Sequence, residues 1–281
     1  MTCPFFCLRP WSAPTHRLRT SCFSMRFKNL ASGSTGNATV VEAGQGSQCR
    51  RLLVDCGLGI RQLEARLTQA GLSSSELHGI FITHEHSDHI GCALSLSARH
   101  HLPVWMSEGT WLALGQPDLG DGLRLARDQQ VIDFGSMSLH PFTVPHDARE
   151  PLQLRCEDGQ SKLGLLTDLG HITPHVLAQL AQCQALYLEA NHDADMLSRS
   201  RYPAFLKRRI SGPWGHLENQ ASAQALTQLK HPALRHVVAA HLSEQNNQAA
   251  LVRQVLAQAL DWPEEAIGIA SPTLGSDWYS L

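Results

Sequence analysis

The chain has 281 residues, 43% hydrophobic and 17% charged, which is typical of a globular protein with a sizeable core. Its formal charge of −2 gives no overall positive field, so any nucleic-acid binding must come from local basic patches. No uninterrupted run of about 18 apolar residues occurs, which argues against a membrane-spanning helix. The 16 histidines, against 3 tyrosines, direct attention to metal-binding clusters.

Eight cysteines are spread along the chain without a Cys-x-x-Cys pair. In a chain of this length, that distribution argues against both a zinc knuckle and a disulfide framework. We therefore expect reduced thiols and a cytoplasmic location.

Residues 1–24 differ from the rest of the chain in being rich in arginine and proline and free of acidic residues. One interpretation is a leader for export or for an organelle, although no long apolar signal core is present. The other, which we favour, is that translation starts at Met25. In both cases we expect disorder before Met25 and a single domain over residues 25–281.

From Met25 onward, short apolar runs that predict strands alternate with amphipathic runs that predict helices. This alternation favours an α/β protein with a sheet-rich core and helices outside. Strands are predicted at Arg26–Leu30, Thr39–Ala43, Leu52–Val54, Ile80–Thr83, Val104–Met106, Ser138–Val144, Leu152–Cys156, Lys162–Thr167, Ala185–Leu188, His236–Ala240 and Ala266–Ala270. Helices are predicted at Ile60–Ala70, from near Pro174, and at Tyr202–Ile210, Asn219–Leu229 and Asn247–Leu260.

The strongest motif follows the strand predicted at Ile80–Thr83 and consists of His84, His86, Asp88 and His89. The two histidines spaced by two can point in one direction from an extended backbone. The aspartate and the last histidine lie beyond a turn and reach a neighbouring point. The pattern predicts two adjacent divalent ions with nitrogen and oxygen ligands. A polar loop with coincidental histidines is the alternative, but four donors at these offsets argue against it.

Three further donors occupy similar positions at the ends of later predicted strands. They are His146, Asp168 and His241, and each directly follows or closes a strand-like run. Any one of them alone might be a surface residue. Because sheet proteins collect functional side chains at strand ends, we interpret the three together with the first motif as one site.

The motif resembles the His-x-His-x-Asp-His signature of the metallo-β-lactamase superfamily, and the chain most resembles the YycJ/WalJ group of bacterial hydrolases. The resemblance extends from Met25 to Ser271 and implies a four-layer αββα sandwich with the site at one edge. The matching segments are Ala31–Asn37, Val54–Gly57, Thr83–His89, Pro145–Asp147, Thr167–Gly170, Leu188–Asp193, Tyr202–Pro203, Gly215–Leu217 and Ala240–Ser243.

The resemblance also implies a set of ligands for two divalent ions, either zinc or manganese. The first ion would be held by His84, His86 and His146, and the second by Asp88, His89 and His241, with Asp168 bridging them. An aspartate at the bridging position resembles the phosphodiesterase and thioester-hydrolase branches more than the main zinc β-lactamases.

The implied reaction is hydrolysis by water activated between the two ions. Asp88 is a candidate to orient that water. His216 is the candidate acid for the leaving oxygen, because its Gly-His-Leu loop resembles the catalytic histidine loop of the tRNA 3′-processing endonucleases. The alternative for His216 is a histidine that begins a helix beside Asn219. In the group the element continues with Ser-Asn, whereas here Glu218 precedes that asparagine and places an extra carboxylate beside the expected phosphate site.

Glu189 and His192 are candidates to support the metal-binding imidazoles, since such rings usually donate their second N–H to a carboxylate or carbonyl. His192 might instead contact substrate. A capping or turn role for the neighbouring Asn191 and Asp193 is the alternative for this segment.

One basic cluster lies between this segment and His216. One interpretation is a binding surface that contacts the phosphates of a nucleic acid. The alternative is a helix face that is simply exposed to solvent. Its members are Arg199, Arg201, Lys207, Arg208 and Arg209.

Three functions remain open from sequence. The leading hypothesis is an enzyme that cuts phosphodiester bonds, with DNA as the substrate that the resemblance implies. The second is a small-molecule hydrolase acting on a cyclic phosphodiester, lactone or thioester. The third is a non-catalytic regulatory or metal-sensing protein, against which the complete ligand set argues. The chain is too short for the inserted domain of the RNA-cutting β-CASP branch, and the oligomeric state stays open.

Overall fold

A computed structural model describes residues 25–281 of the chain, so the predictions for residues 1–24 lie outside the described residues. Within the described part, two seven-stranded sheets form the centre of the molecule. The strands are β1 (Met25–Ala31), β2 (Ala38–Ala43), β3 (Arg50–Val54), β4 (Gly79–Phe81), β5 (Val104–Met106), β6 (Leu123–Leu125), β7 (Ile132–Asp133), β8 (Ser138–Thr143), β9 (Leu152–Glu157), β10 (Lys162–Leu166), β11 (Ala185–Glu189), β12 (His236–Ala240), β13 (Ile267–Ile269) and β14 (Tyr279–Ser280).

The two sheets divide the chain almost in half. The first has the order β14-β1-β2-β3-β4-β5-β6, and the second has the order β13-β12-β11-β10-β9-β8-β7. The last short strand crosses back to pair antiparallel with β1. Within each sheet some neighbours are parallel, including β3 with β4, β10 with β11, and β11 with β12. The ends of parallel neighbours fall on a common edge of their sheet.

Nine α-helices accompany the two sheets in the described part of the chain. They are α1 (Ile60–Gln69), α2 (Ser87–Ile90), α3 (Ala93–His100), α4 (Glu108–Ala113), α5 (Pro174–Leu180), α6 (Ala194–Arg199), α7 (Ala204–Ile210), α8 (Asn219–Leu229) and α9 (Ala249–Leu260). Within the described part of the chain, none of them has both the length and the apolar character that crossing a bilayer requires.

Three buried clusters identify the layers. One joins residues from both sheets, such as Phe27 and Leu165, and therefore lies between them. A second packs the first sheet against α1 and α3, with Leu63 fully buried. A third packs the second sheet against α5, α8 and α9, with Leu226 fully buried. The resulting order of layers, helix–sheet–sheet–helix, confirms the predicted αββα sandwich.

The main departure from the predicted elements that affects the site is the end of β4. A strand was predicted over Ile80–Thr83, but the ladder stops at Phe81. Thr83 leaves the sheet because its backbone N–H and its hydroxyl both bond to the carboxylate of Asp55, at 2.9 and 3.0 Å. The chain is thereby released from β4 just before the first histidine of the motif.

Candidate metal centre

The loop after β4 and the short helix α2 position the histidine motif. His86 occupies the N-cap position of α2, and its carbonyl oxygen accepts hydrogen bonds from the backbone N–H groups of His89 and Ile90. Asp88 and His89 therefore lie on a helical turn, while His84 and His86 precede it on non-helical backbone. This arrangement separates the motif into two pairs of donors that face neighbouring points.

The first group consists of His84, His86 and His146, whose ring nitrogens lie within 4.8 Å of one another. His86 Nδ1 is 3.0 Å from His84 Nε2 and 3.3 Å from His146 Nε2. A single proton on His86 Nδ1 can satisfy only one of these two contacts. Three nitrogens bound to a tetrahedral zinc ion would be separated by about 3.3 Å, given zinc–nitrogen bonds of about 2.0–2.1 Å.

The two buried rings of this group are each held by a contact of the Nδ1 atom on the side away from the centre of the group. His84 Nδ1 contacts the hydroxyl of Thr83 at 2.9 Å, and His146 Nδ1 contacts the carbonyl oxygen of Gly215 at 3.0 Å. A carbonyl can only accept, so His146 carries its proton on Nδ1. Its Nε2 lone pair then faces the centre of the group, as a metal ligand requires.

The second group consists of Asp88, His89 and His241, whose donor atoms also lie within 4.8 Å of one another. Asp88 Oδ2 is 3.5 Å from Nε2 of each histidine. His241 Nε2 is buried and has no hydrogen-bond partner. Such an unsatisfied buried nitrogen is costly unless an ion or a water occupies the centre of the group.

Asp168 lies between the two groups. Its carboxylate is within 4.8 Å of ring nitrogens of both His84 and His89, and its Oδ2 lies 3.1 Å from His89 Nε2. That oxygen is buried without a hydrogen bond of normal geometry. Burial alone raises the pKa of Asp168, but the neighbouring His241 and His89 outweigh it and lower the pKa well below its usual range. The carboxylate is therefore an anionic donor that both groups share.

A buried carboxylate supports His89 and was not identified as part of the site from sequence. Asp55 Oδ2 lies 2.7 Å from His89 Nδ1, and both side chains are shielded from solvent. Asp55 has a backbone φ of 59°, in the left-handed region, where Asp is tolerated better than most residues. With Nδ1 held by Asp55, the Nε2 atom of His89 faces the second group.

Glu189 supports the opposite side of the centre. Its fully buried carboxylate contacts Nδ1 of His216 at 2.8 Å and Nδ1 of His241 at 3.3 Å. The backbone N–H groups of Leu169 and Leu217 donate to its second oxygen at 2.9 and 3.2 Å. Glu189 thus contacts two imidazoles at once.

These contacts form a donor set that fits divalent metal ions. Four of the histidines use Nδ1 for a contact behind the ring and present Nε2 to the centre, which is the usual arrangement around a bound metal. Carboxylate and imidazole donors suit zinc, manganese and similar ions. The buried atoms of Asp168 and His241 that lack hydrogen bonds are the positions that such ions would satisfy.

A family comparison agrees with this geometry. Residues 50–242 match the beta-lactamase superfamily domain, which is more than half of the chain. The chain belongs to the metallo-β-lactamase superfamily.

Two curated relatives and one solved structure extend the comparison. The chain is 36% identical over 252 residues to a protein named exodeoxyribonuclease YycJ from Bacillus anthracis, covering 87% of this chain and 92% of that one. It is 29% identical to exodeoxyribonuclease WalJ from Streptococcus pneumoniae, over 87% of this chain and 91% of that one. The fold also matches the metallo-β-lactamase fold protein YhfI from Bacillus subtilis, with a TM-score of 0.69, 13% identity and coverage of 92% of this chain and 99% of that one.

These findings confirm the resemblance to the YycJ/WalJ group, and this metallo-β-lactamase-fold chain is a metal-dependent hydrolase.

His216 lies at the border of the metal centre. The ring of His216 is 5.4 Å from that of His146 and 5.1 Å from that of His241. Burial lowers the pKa of His216, but the adjacent Glu189 outweighs it and the net pKa is raised.

A cavity of about 210 Å³ opens directly beside His216. Its wall combines polar residues around the metal centre with one side of α7, which contributes Leu206, Arg209 and Ile210. Arg209 donates from Nε to Asp147 Oδ2 at 2.6 Å, and Asp147 is the residue after the metal-group histidine His146. A positively charged group therefore lies at the edge of the metal centre.

The basic cluster is split by the fold. Arg209 borders the cavity beside His216, whereas Lys207 and Arg208 line a different cavity together with His192. Arg199 is highly exposed and lies 3.7 Å from Asp195, and Arg201 is exposed as well. Among the five basic residues named from sequence, Arg209 is the one that the structure brings to the wall of the site cavity.

The Asn-His-Asp segment has mixed roles. His192 is buried, belongs to none of the donor groups within residues 25–281, and has an Nδ1 atom without a hydrogen-bond partner. Asp193 caps α6 by accepting from the N–H of Met196 at 2.8 Å, as one of the alternatives proposed. Asn191 donates to the carbonyl oxygen of His241 at 2.8 Å and so fixes the backbone of that candidate ligand.

Proposed function

We propose that the chain is a dinuclear-metal phosphodiesterase that degrades DNA from an end. The observation that carries the proposal is the convergence of seven donors from four strand ends into two adjoining groups that share Asp168. The names of the two curated relatives support an exonuclease acting on DNA.

The proposed ligands follow the two groups. His84, His86 and His146 would hold one ion and Asp88, His89 and His241 the other, with Asp168 as a ligand that both could share. When bound, such a pair of ions lowers the pKa of a water molecule toward neutrality and stabilises negative charge on a phosphoryl group. Zinc and manganese both suit these donors.

The side chains around the ions control orientation and proton transfer. Asp88 lies at the mouth of the second group, with part of its side chain exposed, and is placed to orient the attacking water. His216 is held through Nδ1 by Glu189, so its Nε2 is free to give a proton to the leaving oxygen. Glu189 raises the pKa of His216 despite burial, which favours the protonated ring that a proton donor needs.

The cavity beside His216 provides the position for the substrate. Arg209 on its wall is bound to a single carboxylate, Asp147, at an exposed edge. A phosphate offers the same charge-assisted contacts as that carboxylate, so a nucleotide phosphate can compete for the guanidinium. The cytoplasmic location expected from the cysteines is compatible with DNA as the substrate.

A substrate panel tests the proposal directly. Metal-loaded protein is incubated with end-labelled double-stranded DNA, single-stranded DNA, RNA and a small bis-phosphodiester, and products are resolved over time. We expect progressive loss of nucleotides from DNA ends. The Asp168→Ala variant, prepared in parallel, should show no activity, which excludes a contaminating nuclease. Hydrolysis of the small ester alone would overturn the nuclease assignment and leave a small-molecule phosphodiesterase.

A further inference from the structure

Two thiols meet directly behind the metal centre. Cys56 Sγ and Cys92 Sγ are 3.3 Å apart, although the residues are separated by 36 positions in sequence. Their backbones are joined as well, since the N–H of Cys92 donates to the carbonyl oxygen of Cys56 at 3.0 Å. Both are free thiols. A disulfide has an S–S distance of about 2.0 Å, so a modest approach of the two sulfurs would join them.

The two thiols differ in accessibility and setting. Cys56 is fully buried, whereas Cys92 is half-buried and occupies the N-cap position of the eight-residue helix α3. Helix N-termini stabilise thiolates, and thiolates are the reactive form of cysteine. The hydrogen bond with Cys56 also lowers the pKa of the Cys92 thiol. Cys92 is therefore the sulfur that an oxidant can reach first, and Cys56 is the buried sulfur next to it.

We propose that Cys92 and Cys56 form a reversible oxidation site for hydrogen peroxide. The Cys92 thiolate attacks one peroxide oxygen, the O–O bond breaks, and Cys92 sulfenic acid and hydroxide form. The sulfur of Cys56 then displaces the hydroxyl group of the sulfenic acid, giving the disulfide and water. In total, two thiols lose two electrons and two protons, and one peroxide is reduced to two waters.

The segment that carries Cys56 is packed tightly against the turn that carries two proposed ligands. The N–H of Cys56 donates to the carbonyl oxygen of His89 at 2.8 Å. At Gly57 an added Cβ would lie 1.7 Å from the carbonyl oxygen of Asp88, and at Gly91 it would lie 2.3 Å from the carbonyl oxygen of Cys56. With no free space between these backbones, joining the sulfurs displaces the Asp88–His89 turn. Oxidation should therefore weaken metal binding.

Intact-protein mass spectrometry and a metal-release assay test the two steps separately. The full chain is loaded with zinc, treated with hydrogen peroxide, and digested without reduction. We expect a loss of about 2 Da for one disulfide and a linked Cys56–Cys92 peptide that a dithiol reductant separates. We also expect the oxidised protein to release zinc to a chromophoric chelator about 10-fold faster than the reduced protein.

Cysteine variants provide the controls. Cys92→Ser and Cys92→Ala should both lose the linked peptide and the peroxide-dependent release of zinc, and having two variants guards against a folding defect in one. Cys49→Ser, which removes a buried thiol just before β3, should behave as the parent protein. Absence of the linked peptide overturns the oxidation site. A linked peptide with unchanged zinc release overturns its effect on the metal centre.

Discussion

His216 is the side chain on which the proposed proton transfer depends. Its Nδ1 is bound to Glu189 and its ring borders the cavity. His216 belongs to a further group of possible donors with Asp168, Glu189 and His241, but it is not needed to complete either group of three proposed ligands. A ring in this position can affect the reaction without holding an ion. Measuring turnover and bound metal separately distinguishes a catalytic role from a metal-binding role.

Replacing His216 by alanine should slow phosphodiester hydrolysis by about 10²–10⁴-fold with unchanged metal content, because the leaving oxygen loses its proton donor. Turnover and bound metal are measured on the same preparation. His171→Ala is the matched control, since His171 is an exposed histidine that contacts the carbonyl oxygen of Pro213 in the same loop region. Full activity in His216→Ala would show that the ring has no catalytic role.

Asp55 offers a second test, this time of metal binding. Asp55→Asn keeps the size of the side chain and its contact with Thr83, and asparagine tolerates the φ of 59° at this position. It removes the charge behind His89 Nδ1. We expect metal affinity to fall by about 10–100-fold, with activity recovered at high metal concentration. Chelator competition measures the affinity, and an unchanged dissociation constant would contradict the supporting role.

At the scale of elements, the site depends on how closely two turns approach each other. Gly57 and the turn at Asp88 are in such contact that no side chain fits between them. Gly59, two positions later, has open space around its α-carbon. The same substitution at the two glycines therefore separates a general effect on the loop from a specific effect on the ligand turn.

Gly57→Ala should displace Asp88 and lower metal affinity by at least about 10-fold, whereas Gly59→Ala should bind metal as the parent protein does. Chelator competition gives the affinities, and circular dichroism confirms that both variants are folded. Equal affinities for the two variants would show that the packing against Asp88 does not position this ligand.

Sequence patterns predicted most of the longer elements, but they missed the eight-residue helix α3 and the shortest elements. Runs such as Ser138–Val144 and His236–Ala240 are apolar and bounded by turns, so their strands are visible locally. Helix α2 has four residues and strand β14 has two, and these depend on partners far away in sequence. Their sequences contain too few residues to establish a period.

The same division applies to the site. The seven proposed ligands were identified because they form a motif or follow predicted strands. Asp55 was not assigned a role, since nothing local connects it with His89, 34 residues later. Two signals were available: Asp55 lies in the matching segment Val54–Gly57, and it is a carboxylate at the end of the strand Leu52–Val54, as Asp168 is at the end of its strand.

At the scale of the whole molecule, burial of His192 links stability to pH. Burial lowers the pKa of His192 to about 4, compared with about 6.5 in an unfolded chain. Between these values the unfolded chain binds a proton that the folded chain does not. The neutral His192 side chain therefore contributes fully to the free energy of unfolding above about pH 6.5, and this contribution is lost as the pH falls toward 4.

Between pH 7 and pH 4, the free energy of unfolding of the parent protein should fall by about 3 kcal/mol more than that of His192→Gln. Denaturant titrations of metal-free protein measure both, because removing metal eliminates the separate pH dependence of its ligands. Parallel pH profiles for the two proteins would contradict a neutral, buried His192.

We expect the two sheets together to hold a pair of ions through seven side chains. The most direct test is the metal content of the purified full chain after loading and desalting, measured by inductively coupled plasma mass spectrometry. We expect two divalent ions per chain for the parent protein, and fewer for Asp168→Ala, which removes the shared ligand. A parent protein that retains no ion after loading would contradict this expectation.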